Sequence, residues 1–286
     1  MKKNRTILLS LLAGALLLTA PTGCSDANEP ESKDIEVQGF KERDPAGYAA
    51  YTAALRQWKQ QTHPVVYGCL DNAPERSVSE RDFLRSVPDS IDMVALRHSD
   101  RLSDFDRADM TLVRGDYGTR VLYYVADQGQ AQGAVAAVQS GQFDGAVVAD
   151  PRAAATVANA LRGSLLIFEG SPMQIDESLR AAFRYYIIDL SGATDHYDVD
   201  YAVRYATGMS GVGQERLLLT VTPAGNITDA SGVSRGAISA AVYEALALSP
   251  AAAGIGVNRL GDDYYDPDCI YPRVRGAIQT LNPAAK

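Results

Sequence analysis

Residues 119–150, TRVLYYVADQGQAQGAVAAVQSGQFDGAVVAD, carry the pattern that decides the fold. Two apolar runs, TRVLYYVAD (119–127) and FDGAVVAD (143–150), flank the Ala-rich segment QAQGAVAAVQSG (130–141). The runs do not alternate apolar with polar. They are near-continuous, as expected for strands of a parallel sheet covered on both faces. The segment between them has the composition of a helix, so the stretch reads as strand, helix, strand.

The same unit recurs along the chain. Further strand signals are HPVVYGCL (63–70), SIDMVALR (90–97), SLLIFEG (164–170), YYIIDL (185–190), RLLLTVT (216–222) and AAGIGVNRL (252–260). Their starts lie roughly 20 to 40 residues apart, the spacing of βα units. PRAAATVANALRG (151–163) and SRGAISAAVYEALALS (234–249) read as further Ala-rich helices. Eight units in about 240 residues predict an α/β fold, a single-domain (β/α)8 TIM barrel over residues 41–286. The rival is an open doubly wound sheet, but no Gly-rich phosphate turn follows the first strand.

Composition narrows the function. The chain has 286 residues, 46% of them hydrophobic, with 27 basic and 35 acidic residues for a formal charge of −8. Such a surface repels phosphate backbones and no basic stripe appears, so nucleic acid is not an expected partner. MKKNRTILLSLLAGALLLTAPTGC (1–24) has a basic start, an apolar stretch and small residues before Cys24, the layout of a secretory signal over residues 1–23. Its TGC ending resembles a lipoprotein signal with Cys24 as the lipidated residue, although Pro21 stands where such signals usually carry Leu. Loss of Lys2, Lys3 and Arg5 with the signal leaves 24 basic against 35 acidic residues, a charge of −11. Residues 24–40 are polar and without period, and are expected to form a tether. Their acidic SDANEPE (25–31) resembles the surface-export tags of Bacteroidetes-type lipoproteins. An exported lipoprotein at the outer membrane or cell surface is therefore expected, held to the membrane by its lipid. The folded part is expected to begin near KERDPAGYAAYTAALRQWKQ (41–60), where Asp44 and Pro45 can start a helix.

A barrel carries function at the C-terminal ends of its strands. The residues there are Asp71, Asn72, Arg97, His98, Asp127, Asp150, Glu169, Asp189, Thr222, Asn258 and Arg259.

Several pieces resemble glycoside hydrolase family 18, in its Bacteroidetes lipoprotein branch of endo-β-N-acetylglucosaminidase-like proteins. They are YAAYTAALRQWKQQTHPVVYG (48–68), VPDSIDMVAL (87–96), FDGAVVAD (143–150), and YPRVRGAIQTLNPA (271–284) after DDYY (262–265). The resemblance implies a catalytic motif D-x-x-D-x-D-x-E at the end of strand four. Its Glu would be the general acid, and the preceding Asp would orient the substrate's acetamide as the internal nucleophile. Here the first Asp is Asp144, and the other three places fall on Val147, Ala149 and Pro151. Asp150 has the opposite parity and is better placed to cap the helix of DPRAAATVANAL. The family's aromatic on strand eight has no counterpart in GVNRL (256–260), where Asn258 stands near its place, and the one Trp, Trp58, belongs to the first helix.

Other patterns are weaker. GVSRG (232–236) matches a nucleophile elbow but follows a polar stretch, so Ser234 reads as a helix cap. His63, His98 and His196 lie on different units without metal spacing. The acidic stretches DHYDVDY (195–201) and DDYYDPD (262–268) lack the EF-hand spacing for Ca²⁺, and no metal or cofactor is expected. Interleaved Tyr and Asp also suit sugars. Cys69 and Cys269 fall on strands that become neighbours on closure and could bridge, though two separate thiols fit the strict geometry of a disulfide more easily.

The resemblance and the missing carboxylates together suggest a catalytically inactive, family-18-like surface lipoprotein. It would bind an N-glycan or another N-acetylglucosamine-containing oligosaccharide, free or on a glycoprotein, for uptake through an outer-membrane importer. The expected glycan-binding residues are Asp71, Asn72, Arg97, His98, Asn258, Asp262, Asp263, Tyr264 and Tyr265. Two alternatives stay open: an active endo-β-N-acetylglucosaminidase with Glu169 as a relocated acid, and a barrel used as a protein-interaction scaffold.

Overall fold

The computed structural model describes residues 39–283, so the signal stretch, Cys24 and most of the tether lie outside the described residues. The chain divides into two units, one ending at Pro45 with the single helical turn Phe40–Arg43, and one beginning at Ala46 that contains the barrel. No described helix is long and apolar enough to cross a membrane.

Each of the eight expected apolar runs is a strand. They are β1 (Val65–Leu70), β2 (Met93–Leu96), β3 (Arg120–Val125), β4 (Gly145–Val148), β5 (Leu165–Glu169), β6 (Tyr185–Asp189), β7 (Leu217–Val221) and the last, β10 (Gly254–Val257). Between β7 and the last strand lies a small antiparallel pair, β8 (Asn226–Thr228) and β9 (Ser234–Gly236). The eight long strands pair in parallel in the order β1-β10-β7-β6-β5-β4-β3-β2, and β1 pairs with both β10 and β2. The sheet is closed, which excludes the open doubly wound alternative. The helices are α1 (Pro45–Lys59), α2 (Asp104–Leu112), α3 (Ala131–Gln139), α4 (Pro151–Ala160), α5 (His196–Thr207), α6 (Ala237–Ala247) and α7 (Pro272–Leu281). After β5 the chain makes only 3-10 turns, Pro172–Gln174 and Glu177–Ala182.

Alternation along each strand sorts the apolar residues into two cores. Tyr67, Cys69, Ala95, Leu122, Tyr124, Val147, Ile167 and Ile187 fill the barrel, while their chain neighbours pack outward against the helices. This double burial is why the strands read as unbroken apolar runs. Two strands begin with glycine because their neighbours leave no room for a side chain. A Cβ on Gly145 would overlap the Leu165 carbonyl, and one on Gly254 would overlap the Val65 carbonyl at the closing seam.

The FD of FDGAVVAD belongs to the barrel floor, where the strands begin. Phe143 is buried edge-to-face against Tyr123, with ring centroids 5.2 Å apart. Asp144 accepts from Arg114 Nε and Nη2 at 3.1 and 2.8 Å and from the Val121 backbone N–H at 2.8 Å. That carboxylate fastens the start of β4 to β3 and to the turn before it.

Ser234 corrects the cap reading. It lies in β9, and α6 begins three residues later with Gly236 at its N-cap. The antiparallel pair was hidden because three-residue strands are too short to show a period.

Cys69 and Cys269 are both free, the first buried within the barrel and the second exposed. Burial pushes the Cys69 thiol up to about 11, which leaves little thiolate near neutral pH. In a Cys24→Ser form, one thiol should react at once with a chromogenic disulfide and the second only after denaturant is added. Two fast thiols would contradict this packing.

Candidate binding site at the strand ends

Inward positions at the C-terminal ends of β1, β2, β3 and β5 converge on one polar group inside a mostly apolar barrel. Arg97, just past β2, donates from Nη1 to the Tyr124 hydroxyl of β3 at 3.1 Å, and its guanidinium lies 4.6 Å from that ring's centroid. The Tyr124 ring in turn stands beside the Glu169 carboxyl at the end of β5. Burial raises the Glu169 carboxyl above its usual range, against the lowering effect of Tyr124 and Arg97, and Asp189 on β6 adds to the rise. Cys69 and Tyr67 of β1 complete the wall, and burial pushes the Tyr67 hydroxyl up as well.

Three buried oxygens here lack a hydrogen-bond partner: Glu169 Oε2, the Tyr67 hydroxyl and Asn258 Oδ1. The Tyr67 hydroxyl has the Cys69 thiol beside it, with Glu169 and Tyr124 also near. Buried polar atoms are normally satisfied, and leaving one unpaired costs about 1–3 kcal/mol. These three lie on inward or strand-end positions of one barrel. Among the described residues no group of three or more His, Cys, Asp or Glu could hold a metal ion.

The other strand-end residues have different surroundings. Asn72 is buried; it donates to Asp106 and accepts the His98 backbone N–H. Asp263 is buried and accepts from the Val274 backbone N–H. Both side chains hold loops together. Asp71 is exposed, 3.3 Å from His98 Nε2, and also caps the turn at Ala73. Arg259 sits in a left-handed conformation with φ 53° and pairs with Asp262 at 2.8 Å. Tyr264 is half-buried, edge-on to Tyr271 and Tyr265, while Tyr265 is 66% exposed. Asp127 and Asp189 accept from their own turns, at Gly129 and Ser191. Thr222 makes only a local bond to the Ala224 carbonyl. Of the acidic stretch at 195–201, Asp195 and Asp198 form the capping box of α5, and His196 bonds Glu244 at 3.0 Å. Trp58 packs against His63 with its ring tilted by 33°, 4.2 Å between centroids.

At the family's carboxylate places on β4, Val147 and Ala149 face into the barrel as apolar side chains, and Pro151 is exposed in the first turn of α4. Asp150 caps α4, accepting the Arg152 backbone N–H at 2.9 Å and the Gln128 N–H at 3.0 Å. Its hydrogen bonds from Arg152 hold the carboxyl down at about 2. It is therefore ionised and points away from the interior.

Residues 28–132 match the family described as "Glycoside hydrolase family 18, BT1044-like". The chain is related to glycoside hydrolase family 18, BT1044-like. The matched stretch ends before β4, so FDGAVVAD lies beyond it. No curated protein matches the chain. Among solved structures, BT1044 in a selenomethionine, Glu-to-Gln form is 18% identical with a TM-score of 0.67, covering 86% of this chain and 96% of its own. The endo-β-N-acetylglucosaminidase of Cordyceps militaris in apo form is 15% identical with a TM-score of 0.58, covering 82% of this chain and 96% of its own. A variant of that enzyme, in complex with fucosyl-N-acetylglucosamine-Asn, is 16% identical with a TM-score of 0.57 and the same coverage. At these identities the likeness is one of fold.

Sequence reasoning reached Arg97, Glu169 and Asn258 but missed Tyr67 and Tyr124. In a strand buried on both faces, nothing in the residue pattern tells Tyr124, facing in, from Tyr123, facing out.

The raised Glu169 carboxyl gives a pH signature. The folded state favours the neutral acid, so the stability it lends is complete below the unfolded-state value and is lost as pH rises through the folded one. Gln keeps the neutral shape at every pH. Thermal unfolding should show Glu169→Gln with a higher Tm than the parent at about pH 7 and little difference at about pH 4. A lower Tm at about pH 7 would mean that the charged carboxylate stabilises the fold.

Proposed function

We propose that this protein binds an N-acetylglucosamine-containing oligosaccharide at the mouth of its barrel without hydrolysing it, and presents it at the cell surface through a lipid on Cys24. The observation that carries this reading is the inward face of β4. Val147 and Ala149 occupy the places where the family resemblance calls for carboxylates, while the unpaired oxygens of Tyr67, Glu169 and Asn258 remain for a polar ligand. Loss of a positioned general acid alone lowers a rate by about 10² to 10⁴. The acetamide-orienting carboxylate is missing as well. A neutral sugar needs hydroxyl partners and an aromatic surface, and Arg97, Asn258 and the exposed Tyr265 supply them. The Cordyceps structure in complex with fucosyl-N-acetylglucosamine-Asn, which shares the fold, supports a carbohydrate as partner. Capture for a neighbouring endoglycosidase and an importer is the cellular role this reading implies.

One observation favours a second reading. Glu169 is a buried carboxyl with a raised proton affinity inside the barrel, as a general acid would be. It could serve an active endo-β-N-acetylglucosaminidase if another group positioned the substrate.

Mass spectrometry after incubation with high-mannose and complex N-glycoproteins separates the two. Binding without release is expected on a glycan array, and Asn258→Ala should weaken the selected glycan by the worth of one hydrogen bond, about 0.5–1.5 kcal/mol. Turnover that disappears in Glu169→Gln would establish the enzyme instead. Absence of any glycan binding would leave the barrel as an interaction scaffold.

A further inference from the structure

The opposite end of the barrel holds a cavity that the strand-end reading does not use. Its volume is about 500 Å³, and it opens where β1, β2, β3, β5 and β6 begin, with Val65, Met93, Leu165 and Tyr185 on its walls. A barrel floor ordinarily serves stability. This one also concentrates positive charge in a chain whose formal charge is −8. Lys59, His63, Arg120 and Arg184 line the cavity against a single lining acid, Asp92.

Two of the four cations are engaged by the protein. The Lys59 ammonium donates to the Asp89 and Ile91 carbonyls and to Thr119 Oγ1 at 2.5, 2.6 and 2.8 Å, which uses all three of its protons. His63 faces acceptors on both ring nitrogens, the Gln61 carbonyl at 2.8 Å and Asp92 Oδ1 at 2.9 Å, which favours the protonated ring and occupies it with Asp92. The other acids nearby are occupied: Asp89 accepts the Tyr51 hydroxyl, and Asp144 accepts from Arg114 and Val121. Arg120 and Arg184 differ. Among the described residues neither guanidinium has a hydrogen-bond or ion-pair partner, and Arg184 lies only over the Tyr185 ring, 5.5 Å from its centroid.

Two unpaired guanidiniums at the rim of a cavity with a net positive lining and apolar walls form a receptor for an anion. We propose that the floor cavity binds a small molecule bearing a phosphate or sulfate ester, its oxyanion held by Arg120 and Arg184 and its body against Met93, Leu165 and Tyr185. The site is independent of glycan binding at the strand ends.

Inorganic phosphate and sulfate are the probes, added to the full chain with sodium chloride at equal ionic strength as control and acetate as the carboxylate arm. The proposal expects a saturable rise in Tm with phosphate or sulfate beyond that with chloride. It also expects a shift of the Met93 methyl resonance in methionine-labelled protein, absent in Met93→Leu. In Arg120→Gln and Arg184→Gln the apparent affinity should fall at least about tenfold each, as for loss of a charge-assisted pair. Arg152→Gln, whose arginine pairs with Asp150 at the other end of the barrel, should behave as the parent. Acetate as effective as phosphate would reassign the ligand class to carboxylates and overturn the ester proposal. Phosphate and sulfate no better than chloride, or equal stabilisation of the double variant Arg120→Gln/Arg184→Gln, would remove the site altogether.

Discussion

Pairing of β1 with β10 closes the sheet, and everything else in the molecule follows from that closure. Once eight parallel strands meet, alternate side chains must fill a space with no access to the helices. The others must form the layer between sheet and helix. The seam is possible because Gly254 puts no Cβ against the Val65 carbonyl. The floor is fastened by polar residues placed where strands begin. Asp144 joins β4 to the Arg114 turn and to β3, and Asp92 accepts the Val66 backbone N–H at 2.8 Å and pairs with His63. With the floor fixed in this way, the strand ends are free to vary in chemistry without loss of the fold.

That freedom explains how a chain related to glycoside hydrolase family 18 can keep the barrel while departing from the family's pattern on β4. FDGAVVAD divides into three parts with different work. Phe143 and Asp144 hold the floor, Val147 and Ala149 line the interior, and Asp150 starts α4. None of these carboxylates faces the mouth. The polar group that does face it, Arg97 with Tyr124 and Glu169, comes from β2, β3 and β5. Its partly unpaired oxygens are the ground for the proposed polar ligand at the mouth, and the apolar inward face of β4 is the ground for the proposed lack of hydrolysis.

The fold was legible because closure of a doubly covered parallel sheet writes unbroken apolar runs at regular intervals, and eight of them survive as strands. The site was legible only in part. Glu169 and Arg97 are charged residues that interrupt apolar runs at strand ends, and such interruptions show. Tyr67 and Tyr124 sit within runs where both faces are buried, so their inward aim depends on register between strands distant in sequence. Asn72 and Asp263 stand at strand-end or loop positions yet have their polar atoms engaged by loops brought together only on folding. The pairing of Arg114 with Asp144 is likewise invisible until β3 and β4 align. Unpaired arginines on the floor could not be told from ordinary surface charge before their neighbours were known.

The central claim is that the barrel mouth receives an intact oligosaccharide. A crystal structure of the unaltered protein, grown with the glycan selected by array, tests it most directly. The expected result is an uncleaved chain at the strand ends, with sugar hydroxyl or acetamide groups within hydrogen-bond distance of Asn258 Oδ1 and Glu169 Oε2. A cleaved product in that place, or an oligosaccharide bound elsewhere with both oxygens still unpaired, would contradict it.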